Sequence, residues 1–412
     1  MLNLSPRLIA ITCQVTYNLG GGFSLFIMRI GYFTDTYLPS FGGTEISILS
    51  FKKCLENMGH EVFIFAPYMS NYQDKDPEVF RLVAVKVHNN PEIRFGLPFI
   101  HSGHIKKLSS FKLDVIHAQT PGTVGLLGKY LAYHHKIPFI YTHHTDYAAH
   151  SKNNFNGRKI LPAIVNWWIK VFSNMADVVI VPSNKISDVL GSYGVKKTIF
   201  LIQTGINLGT FAKTQETIRV ADILKNDLGI ASSKNIIFVG RMSNEKNIDF
   251  LIQAFAKISE HRHDIKLLFV GDGPNLADFK AKVKTLNLKN IIFVGSIPHE
   301  KTSTYYQAGN LFVFSSYTDT QGLVLMEAVA SGLPVVALKD GAFEGIVIND
   351  ENGYLVEKDS TDEFAKKVLT ILDNELLSAK FSANSLRIAR NFSEEEQAAK
   401  LLEIYRKTIS KI

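Results

Sequence analysis

Two cations in the second half of the sequence have a spacing that suits phosphate chemistry. Arg241 and Lys246 follow an apolar run that ends at Gly240, and they lie about a turn and a half apart if a helix begins at Asn244. A guanidinium and an ammonium placed in this way can converge on a diphosphate. The pattern therefore predicts a site for a phosphorylated ligand.

Two carboxylates, Asp319 and Glu327, follow another apolar run further along the chain. We predict that Asp319 lies in a loop between a strand and a helix, and that Glu327 lies about two turns into that helix. The free backbone N–H groups at the start of the helix would form an anion site. They are predicted to belong to Gln321, Gly322, Leu323 and Val324. A carboxylate beside this site suits sugar hydroxyls; the alternative is an ordinary capped helix with Asp319 as a turn residue.

A histidine-rich segment follows the predicted strand Pro138–Tyr141. Histidine at the carboxyl end of such a strand can hydrogen-bond a ligand or act as an acid or base. A zinc site is the alternative interpretation, although the spacing matches none of the usual zinc patterns. The residues concerned are His143, His144, Asp146 and His150.

The composition indicates a globular protein with a basic surface. The 412 residues favour two α/β domains over one, and 46% hydrophobic with 20% charged residues exclude a disordered chain. The net charge of +7 favours nucleic acid, phosphorylated ligands or an acidic membrane surface, or only a solvated basic surface. No nucleic-acid recognition motif is present, so we predict no nucleic-acid partner. Cys13 and Cys54 show no metal spacing, which indicates a reduced, cytosolic compartment.

Three similar apolar runs predict parallel strands in the second half. The segments 236–240, 267–271 and 291–295 each end in glycine. Continuous apolar runs fit strands that are covered on both faces. Glycine at all three ends indicates that backbone passes close to another group there.

The first half repeats the alternation of strand and helix. Arg29–Phe33 is predicted to be a strand, and a loop ending in Gly42 and Gly43 leads to a helix over Thr44–Met58 with Thr44 as its cap. A glycine pair at this point lets backbone approach a phosphate, or forms a plain turn.

The predicted organisation has four parts. Residues 1–27 form a poorly ordered extension, 28–207 and 208–390 form two Rossmann-like domains, and 391–412 form a last helix. The polar stretch Leu208–Thr217 is predicted to be an irregular linker. No apolar run is long enough to span a bilayer.

A further helix is predicted near residues 158–175, with an apolar stripe that includes Ile164 and Trp167. We predict that the stripe faces the core. Contact of Trp167 and Trp168 with a membrane interface is the alternative.

Three motifs together resemble the retaining family-4 glycosyltransferases of the GT-B type. They are Pro39-Ser-Phe-Gly42-Gly43-Thr-Glu45, Gly240-Arg241-Met-Ser-Asn-Glu-Lys246-Asn247, and the acid pair Asp319 and Glu327. The resemblance runs from Met28 to the end of the sequence. It implies an α/β fold with two doubly wound Rossmann-like domains facing each other across a cleft, the first for an acceptor and the second for a nucleotide sugar.

The resemblance also implies roles for the cations and glycines. Arg241 and Lys246 would neutralise the diphosphate of the donor and stabilise the departing nucleotide. Backbone at Gly42 and Gly43 would approach the distal phosphate. Because the two cations would do the work of a metal ion, no metal or other cofactor is expected. Asp74-Lys-Asp76 has the form of a metal-binding motif but lies in a polar loop and is interpreted as incidental.

The remaining implied roles concern the nucleoside and the sugar. Glu327 would accept hydrogen bonds from the ribose, and backbone at Ile297 would face the base. Asp319 and the N–H groups of Gly322–Val324 would hold the donor sugar, with His144 near the reacting sugar. The last helix would cross back onto the first domain. The family usually has Glu where this chain has Asp319, which puts the sugar contact in question.

A narrower similarity points to bacterial glucosyltransferases that act on diacylglycerol. It implies transfer of a hexose, with UDP-glucose as the expected donor, to a membrane lipid with retention of configuration. The enzyme would be cytoplasmic and bound peripherally to the anionic inner face of the membrane. The alternatives are a soluble family-4 enzyme acting on a polysaccharide or small acceptor, and a sugar-nucleotide epimerase of the same architecture. The similarity rests on the segments Thr34-Asp-Thr-Tyr37, Gln119-Thr-Pro121, Gly125-Leu-Leu-Gly128, Tyr141-Thr-His-His144-Thr145 and Thr320-Gln-Gly-Leu323.

Overall fold

Two parallel sheets, one in each half of the chain, form the framework of the protein. The computed structural model describes residues 27–40, 42–87, 90–96, 108–145, 160–358 and 360–411. All of the predicted amino-terminal extension except residue 27 lies outside these ranges.

The first half contains a parallel sheet and a short antiparallel pair. In chain order its strands are β1 (Arg29–Phe33), β2 (Glu61–Pro67), β3 (Val79–Leu82), β4 (Ala84–Val87), β5 (Asn90–Gly96), β6 (Val115–Ala118), β7 (Phe139–Thr142), β8 (Val178–Val181) and β9 (Ile199–Leu201). Its helices are α1 (Gly43–Asn57), α2 (Thr123–His135), α3 (Ile160–Met175) and α4 (Asn184–Tyr193). β4 and β5 form the antiparallel pair.

The second half contains the other parallel sheet. Its strands are β10 (Lys234–Val239), β11 (Ile265–Val270), β12 (Ile291–Gly295), β13 (Leu311–Phe314), β14 (Val335–Leu338) and β15 (Gly353–Val356). Its helices are α5 (Leu208–Phe211), α6 (Gln215–Asp227), α7 (Ile248–His261), α8 (Leu276–Thr285), α9 (Thr302–Ala308), α10 (Leu323–Ala330), α11 (Thr361–Leu372), α12 (Glu375–Ala389) and α13 (Glu394–Ile409). Single 3-10 turns occupy Asn244–Lys246, His299–Lys301 and Arg390–Phe392.

Both sheets reverse their strand order beside their first strand. The first sheet has the order β3-β2-β1-β6-β7-β8-β9, and the second has β12-β11-β10-β13-β14-β15. Every pairing within the two sheets is parallel. This is the doubly wound arrangement, in which ligands bind outside the carboxyl ends of the strands where the order reverses. The predicted fold class is confirmed.

Close backbone packing explains one of the three glycines at the strand ends of the second sheet. Gly240 and Gly271 have φ angles of 156° and 134°, where most side chains are strained. A Cβ atom on Gly271 would lie 2.0 Å from the carbonyl oxygen of Gly240. The close approach predicted from the sequence is therefore present at Gly271, whereas a Cβ atom on Gly295 would meet no atom within 4 Å.

Two predicted details of helix boundaries are wrong. The segment Leu208–Thr217 is not an irregular linker, because it contains α5 and the start of α6. Thr214 and Thr217 form a reciprocal capping box there, with N···Oγ1 distances of 2.8 and 3.1 Å. Thr44 is not the cap of α1, since the helix begins at Gly43 and Gly42 occupies the N-cap position.

Helix α3 also differs from its prediction. It buries Ile169 and Phe172, whereas Ile164 and Trp167 are 54% and 61% exposed. The predicted core-facing stripe therefore lies on the outer side of the helix at these two positions. The helix packs on the sheet through the adjacent face, which carries Ile169 and Phe172.

Helix α13 completes the core of the first half. Ala398, Leu401, Leu402 and Tyr405 are buried in one cluster with residues of β1, β2 and α1. The last helix of the described chain therefore packs on a domain whose other elements come before residue 207.

Candidate active site

A cleft of about 440 Å³ lies between the carboxyl edges of the two sheets. The first half and the connecting segment contribute Gly43, Thr44, His144, Thr145, Pro182 and Thr204 to its walls. The second half contributes Val239, Gly240, Arg241, Glu245, Lys246, Phe314, Thr318, Asp319, Thr320, Gln321, Gly322, Leu323 and Val324. The cleft lies where a doubly wound fold places its ligands.

Most of the site residues predicted from the sequence meet in this cleft. They are Gly43, His144, Arg241, Lys246, Asp319, Gln321, Gly322, Leu323 and Val324. Gly42, Ile297 and Glu327 are not among the residues that line it.

An ion pair joins two of the predicted site residues. The Nζ atom of Lys246 lies 3.0 and 2.9 Å from the two carboxylate oxygens of Asp319. Both side chains are 18% exposed, so the pair is partly shielded from water. The ammonium that was predicted to bind a phosphate and the carboxylate that was predicted to hold a sugar thus contact each other directly.

The position of Lys246 is set by the turn that carries it. Asn244–Lys246 form a 3-10 turn, and Asn247 has a left-handed φ of 53° before α7 begins. A helical turn therefore begins at Asn244, but it is a 3-10 turn, and the α-helix begins four residues later at Ile248. The buried hydroxyl of Ser315 donates to the carbonyl oxygens of Lys246 and Asn247 at 2.8 and 3.1 Å, which ties the turn to the end of β13.

The cleft is suited to an anion. The Arg241 side chain is exposed in it, and Lys246 lies on the same wall. Gly322 is the N-cap of α10 with a φ of 75°, and its carbonyl oxygen accepts from Leu325 N. The N–H groups of Leu323 and Val324 precede this bond and have no intrahelical acceptor. Two cations and a helix N-terminus together can bind a phosphate-bearing ligand.

Glu327 lies behind this wall. It is the fifth residue of α10, so it lies just over one turn into the helix and not two turns as predicted. Its carboxylate accepts from the Tyr306 hydroxyl at 2.7 Å and contacts His299 Nε2 at 3.2 Å. The hydrogen bond with Glu327 raises the pKa of His299.

Gly42 and Ile297 do not line the cleft. Gly42 is the N-cap of α1, and a Cβ atom on the adjoining Gly43 would meet no atom within 4 Å. Ile297 is half-buried against the core of the second half. Of these three residues, only Gly43 offers backbone to the cleft.

His144 is a neutral histidine on the first-half wall. Its Nε2 lies 2.8 Å from Gln119 Oε1, so this nitrogen donates and Nδ1 remains as an acceptor. Burial lowers the pKa of His144 to about 4. The imidazole can therefore exchange hydrogen bonds with a ligand at neutral pH, but it does not supply a positive charge.

The histidine-rich segment is only partly described. His143 is buried, its Nδ1 lies 2.7 Å from the Tyr141 hydroxyl, and burial lowers its pKa to about 3. Asp146 and His150 lie outside the described residues. Within the ranges that the structure covers, no three His, Cys, Asp or Glu side chains are grouped as metal ligands.

The carboxyl edge of the first sheet carries its own buried network. His117 Nδ1 lies 2.6 Å from the Tyr405 hydroxyl, and its Nε2 lies 2.6 Å from the Thr142 hydroxyl. Tyr405 belongs to α13, so the last helix is hydrogen-bonded to the strand that carries His117. Sequence analysis did not single out this network, because its members lie far apart in the chain.

The reversal point of the first sheet is closed to an anion. The Asp35 carboxylate accepts from Val124 N at 2.9 Å and from Thr120 Oγ1 at 2.6 Å, at the start of α2. A Cβ atom on Gly122 would lie 2.4 Å from that carboxylate. A fixed negative charge thus fills the place that a phosphate takes in many such folds, so the second half is the half that can hold one.

The two carboxylates of the Asp74-Lys-Asp76 segment form ion pairs outside the cleft. Asp74 forms a two-point ion pair with Arg81, with both N···O distances at 2.8 Å. Asp76 lies 3.3 Å from Lys52. Neither carboxylate lines the cleft.

Two contacts between the halves were missed by sequence analysis. The side-chain amide of Gln321 makes a reciprocal pair with the backbone of Thr204, at 3.0 and 2.9 Å. Lys185 reaches from α4 to the Tyr317–Asp319 loop and to Asp340. A lysine in the first turn of a helix, where the dipole disfavours a cation, was the available signal.

Two family models cover most of the described chain. Residues 41–210 match the Glycosyltransferase Family 4 model, and residues 221–387 match the Glycosyl transferases group 1 model. An alpha-monoglucosyldiacylglycerol synthase of Streptococcus pneumoniae is 36% identical over 318 residues, which cover 75% of this chain and 71% of that protein. The chain belongs to the GT-B glycosyltransferases of group 1 and family 4. It is therefore an enzyme that transfers a sugar.

Two further comparisons cover almost the whole glycosyltransferase. An alpha-monoglucosyldiacylglycerol synthase of Acholeplasma laidlawii is 30% identical over 400 residues, which cover 93% of this chain and 98% of that protein. The solved structure of Anabaena Alr3699/HepE in complex with UDP superposes with a TM-score of 0.75. That likeness covers 92% of this chain and 100% of HepE at 19% sequence identity, so it supports the shared fold.

Proposed function

We propose that this glycosyltransferase moves glucose from UDP-glucose to the free hydroxyl of a diacylglycerol, or of a glycosyldiacylglycerol, with retention of the α configuration. The observation that carries the proposal is the likeness to two proteins named alpha-monoglucosyldiacylglycerol synthase, one of them over 98% of its length. The shape and charge of the cleft support the donor half of the proposal.

The second-half wall of the cleft suits the donor. The Arg241 and Lys246 side chains and the N–H groups at the start of α10 offer positive charge to a diphosphate. HepE, which shares the fold, has been crystallised with UDP. Glu327 would accept from the ribose at the inner end, and Asp319 would meet the sugar once the diphosphate competes for Lys246.

Charge stabilisation is the main chemical contribution that these residues offer. The bond between the anomeric carbon and the diphosphate oxygen breaks, and its electron pair leaves with the UDP. The acceptor hydroxyl bonds to the anomeric carbon, and its proton passes to the diphosphate of the departing UDP. Arg241 and Lys246 oppose the charge that develops on the leaving oxygen, and preorganised charges of this kind commonly contribute more to catalysis than any other single effect.

Helix α3 supports a membrane acceptor. Ile164 and Trp167 are more than half exposed on one side of the helix, and Lys170 is exposed beside them. An apolar surface that includes tryptophan and is flanked by lysine suits the interface of an anionic bilayer. Within the described ranges, no helix is both long and apolar enough to cross a membrane. We therefore propose peripheral binding at the cytoplasmic face.

The decisive test is a transfer assay with defined lipids. Purified protein is incubated with labelled UDP-glucose and vesicles that contain phosphatidylglycerol and diacylglycerol. We expect a glucolipid whose anomeric proton coupling in NMR reports the α linkage. A β-linked product, or label that stays in the aqueous phase, would contradict the proposal.

The same assay separates the alternatives. Transfer to a polysaccharide or small acceptor, with the protein left in the supernatant after sedimentation of anionic vesicles, would indicate a soluble transferase. An epimerised donor in reactions without an acceptor would indicate an epimerase.

We also propose that the transfer needs no metal ion. Arg241 and Lys246 line the cleft, and they would neutralise the diphosphate charge that a divalent cation would otherwise oppose. We expect the rate to be unchanged within about twofold after treatment with EDTA, as measured by UDP release. Loss of activity that Mn²⁺ restores would refute this point.

A further inference from the structure

Lys185 connects the first half of the enzyme to the loop that carries Asp319. It lies in the first turn of α4, immediately beyond the carboxyl end of β8. Its Nζ atom donates to the carbonyl oxygens of Tyr317 and Asp319 at 2.8 and 3.2 Å, and to Asp340 Oδ2 at 3.0 Å. An ammonium has three N–H groups, so all of its donors are used across the boundary between the halves.

The acceptor carboxylate of this contact is itself held in place. Asp340 follows β14, its side chain is 5% exposed, and its other oxygen accepts from Ala342 N at 3.0 Å. A Cβ atom on Gly341 would lie at an ordinary contact distance of 3.4 Å from Lys185 Cβ. The turn after β14 therefore holds the Asp340 carboxylate in place beside Lys185. The Lys185 ammonium extends past this turn to the Tyr317–Asp319 loop.

Asp319 is consequently held by both halves of the protein. Its carbonyl oxygen accepts from Lys185 of the first half, and its carboxylate accepts from Lys246 of the second half. Two residues further on, Gln321 is paired with the backbone of Thr204 in the connecting segment. The position of this loop thus depends on how the two halves sit against each other.

We propose that Lys185 is a positioning residue that couples closure of the cleft to the placement of Asp319 against the sugar. When the halves are apart, the Tyr317–Asp319 loop lacks the ammonium that fixes two of its carbonyl groups. When they close, the loop is fixed and Asp319 is set for the transferred sugar. The proposal rests on the donor site assigned above, and it does not depend on the acceptor.

The test compares Lys185→Met with Asn184→Ala. Lys185→Met keeps the length of the side chain and removes its charge. Asn184→Ala is the matched control, because it removes a neighbouring hydrogen bond between the halves, from Asn184 to Glu344 at 3.0 Å, that does not reach the loop. Amide hydrogen exchange of segment 315–324, affinity for UDP, and kcat and KM for UDP-glucose are measured for both variants.

In Lys185→Met, we expect the backbone amides of segment 315–324 to exchange at least about tenfold faster than in the wild type. We also expect kcat of this variant to fall at least about tenfold. Its affinity for UDP should stay within about threefold of wild type, because UDP does not extend to the sugar. Asn184→Ala should match the wild type in all three measurements.

A chemical-rescue experiment restores the ammonium at position 185. Lys185→Cys alkylated with 2-bromoethylamine has an ammonium at the original distance, and it should recover slow exchange and most of kcat. Alkylated wild type serves as its control, since the chain has cysteines of its own. If Lys185→Met does not fold, Lys185→Arg replaces it. A planar guanidinium cannot donate to three acceptors around one nitrogen, so fast exchange is again expected.

Three results would overturn the proposal: unchanged exchange in segment 315–324, an equal loss in Asn184→Ala, or a loss of kcat that the restored ammonium does not correct. A loss of UDP affinity as large as the loss of kcat would also count against it. A wild type that does not use UDP-glucose would refute the proposed function instead, while hydrogen exchange would still test Lys185.

Discussion

At the scale of single residues, the contact between Lys246 and Asp319 connects the two parts of the proposed donor site. The ammonium lies within 3.0 Å of both carboxylate oxygens. A bound diphosphate would offer Lys246 a stronger partner and would release Asp319 toward the sugar. The ion pair of Asp319 with Lys246 therefore lies within the donor wall of the cleft.

Removal of the Lys246 ammonium is expected to act mainly on turnover. We predict that Lys246→Ala lowers kcat for transfer by about 10²–10³, because a charge that stabilises the leaving group is lost. UDP release measured at saturating donor tests the prediction. Lys339→Ala removes an exposed lysine that pairs with Glu357 in the same half, and it should stay within about twofold of wild type. Equal rates for the two variants would contradict the role of Lys246.

The contact between His299 and Glu327 predicts a dependence of stability on pH. The hydrogen bond with Glu327 raises the pKa of His299 in the folded protein. A raised pKa stabilises the fold below the unfolded pKa, and this stabilisation is lost as the pH rises through the folded pKa. His299→Gln should therefore lower Tm more at about pH 5.5 than at about pH 8.5.

The control for His299 is another histidine of the same half. His263→Gln also removes an imidazole, and the His263 side chain is exposed to solvent. Thermal unfolding followed by circular dichroism is sufficient for both variants. If the loss of Tm in His299→Gln relative to the wild type were larger at the higher pH, the contact with Glu327 would be refuted.

At the scale of the elements, the strands and the site loops could be predicted because their signals are local. Apolar runs that end in glycine defined β10, β11 and β12, and the polar residues that follow such runs defined the cleft. Helix boundaries at α1 and α6 were misplaced, because Gly42 serves as a cap without a side chain and a capping box forms within a polar stretch. Local patterns could not identify the partners of Lys185 and Tyr405, which lie more than a hundred residues away.

The outer side of α3 predicts how the enzyme meets a membrane. Trp167 is 61% exposed on a helix whose other face is anchored by Phe172. We expect Trp167→Ala to weaken binding to phosphatidylglycerol vesicles by about tenfold, which is ~1.4 kcal/mol, because a large ring no longer enters the interface. Sedimentation with vesicles at several lipid concentrations measures the change.

The matched control lies in the other half of the molecule. Leu376 is 86% exposed, so Leu376→Ala removes a comparable exposed apolar side chain away from α3. It should leave vesicle binding unchanged. Equal weakening by both substitutions would mean that α3 is not the contacting surface.

At the scale of the whole molecule, α13 links the stability of the first half to the far end of the chain. Leu401 is 1% exposed within the cluster that includes Ile30 and Leu55. Leu401→Ala should cost about 2–5 kcal/mol, since it leaves a cavity in that cluster. Both tryptophans of the sequence lie in α3, so their fluorescence reports unfolding of the first half.

Urea unfolding followed by this fluorescence tests the link. The midpoint for Leu401→Ala should fall well below that of the wild type, while the exposed Leu376→Ala should stay within about 0.5 kcal/mol. If the urea midpoint of Leu401→Ala equalled that of the wild type, α13 would not stabilise the first half.

The return of α13 also has a consequence for synthesis of the protein on the ribosome. The first half emerges well before the helix that covers β1, β2 and α1 has been translated. During that interval, the apolar surface that will receive Leu401 and Tyr405 faces water, and nascent chains with such surfaces are prone to misassembly. A pause in translation anywhere in the second half would therefore lengthen the exposure of a surface that belongs to the first.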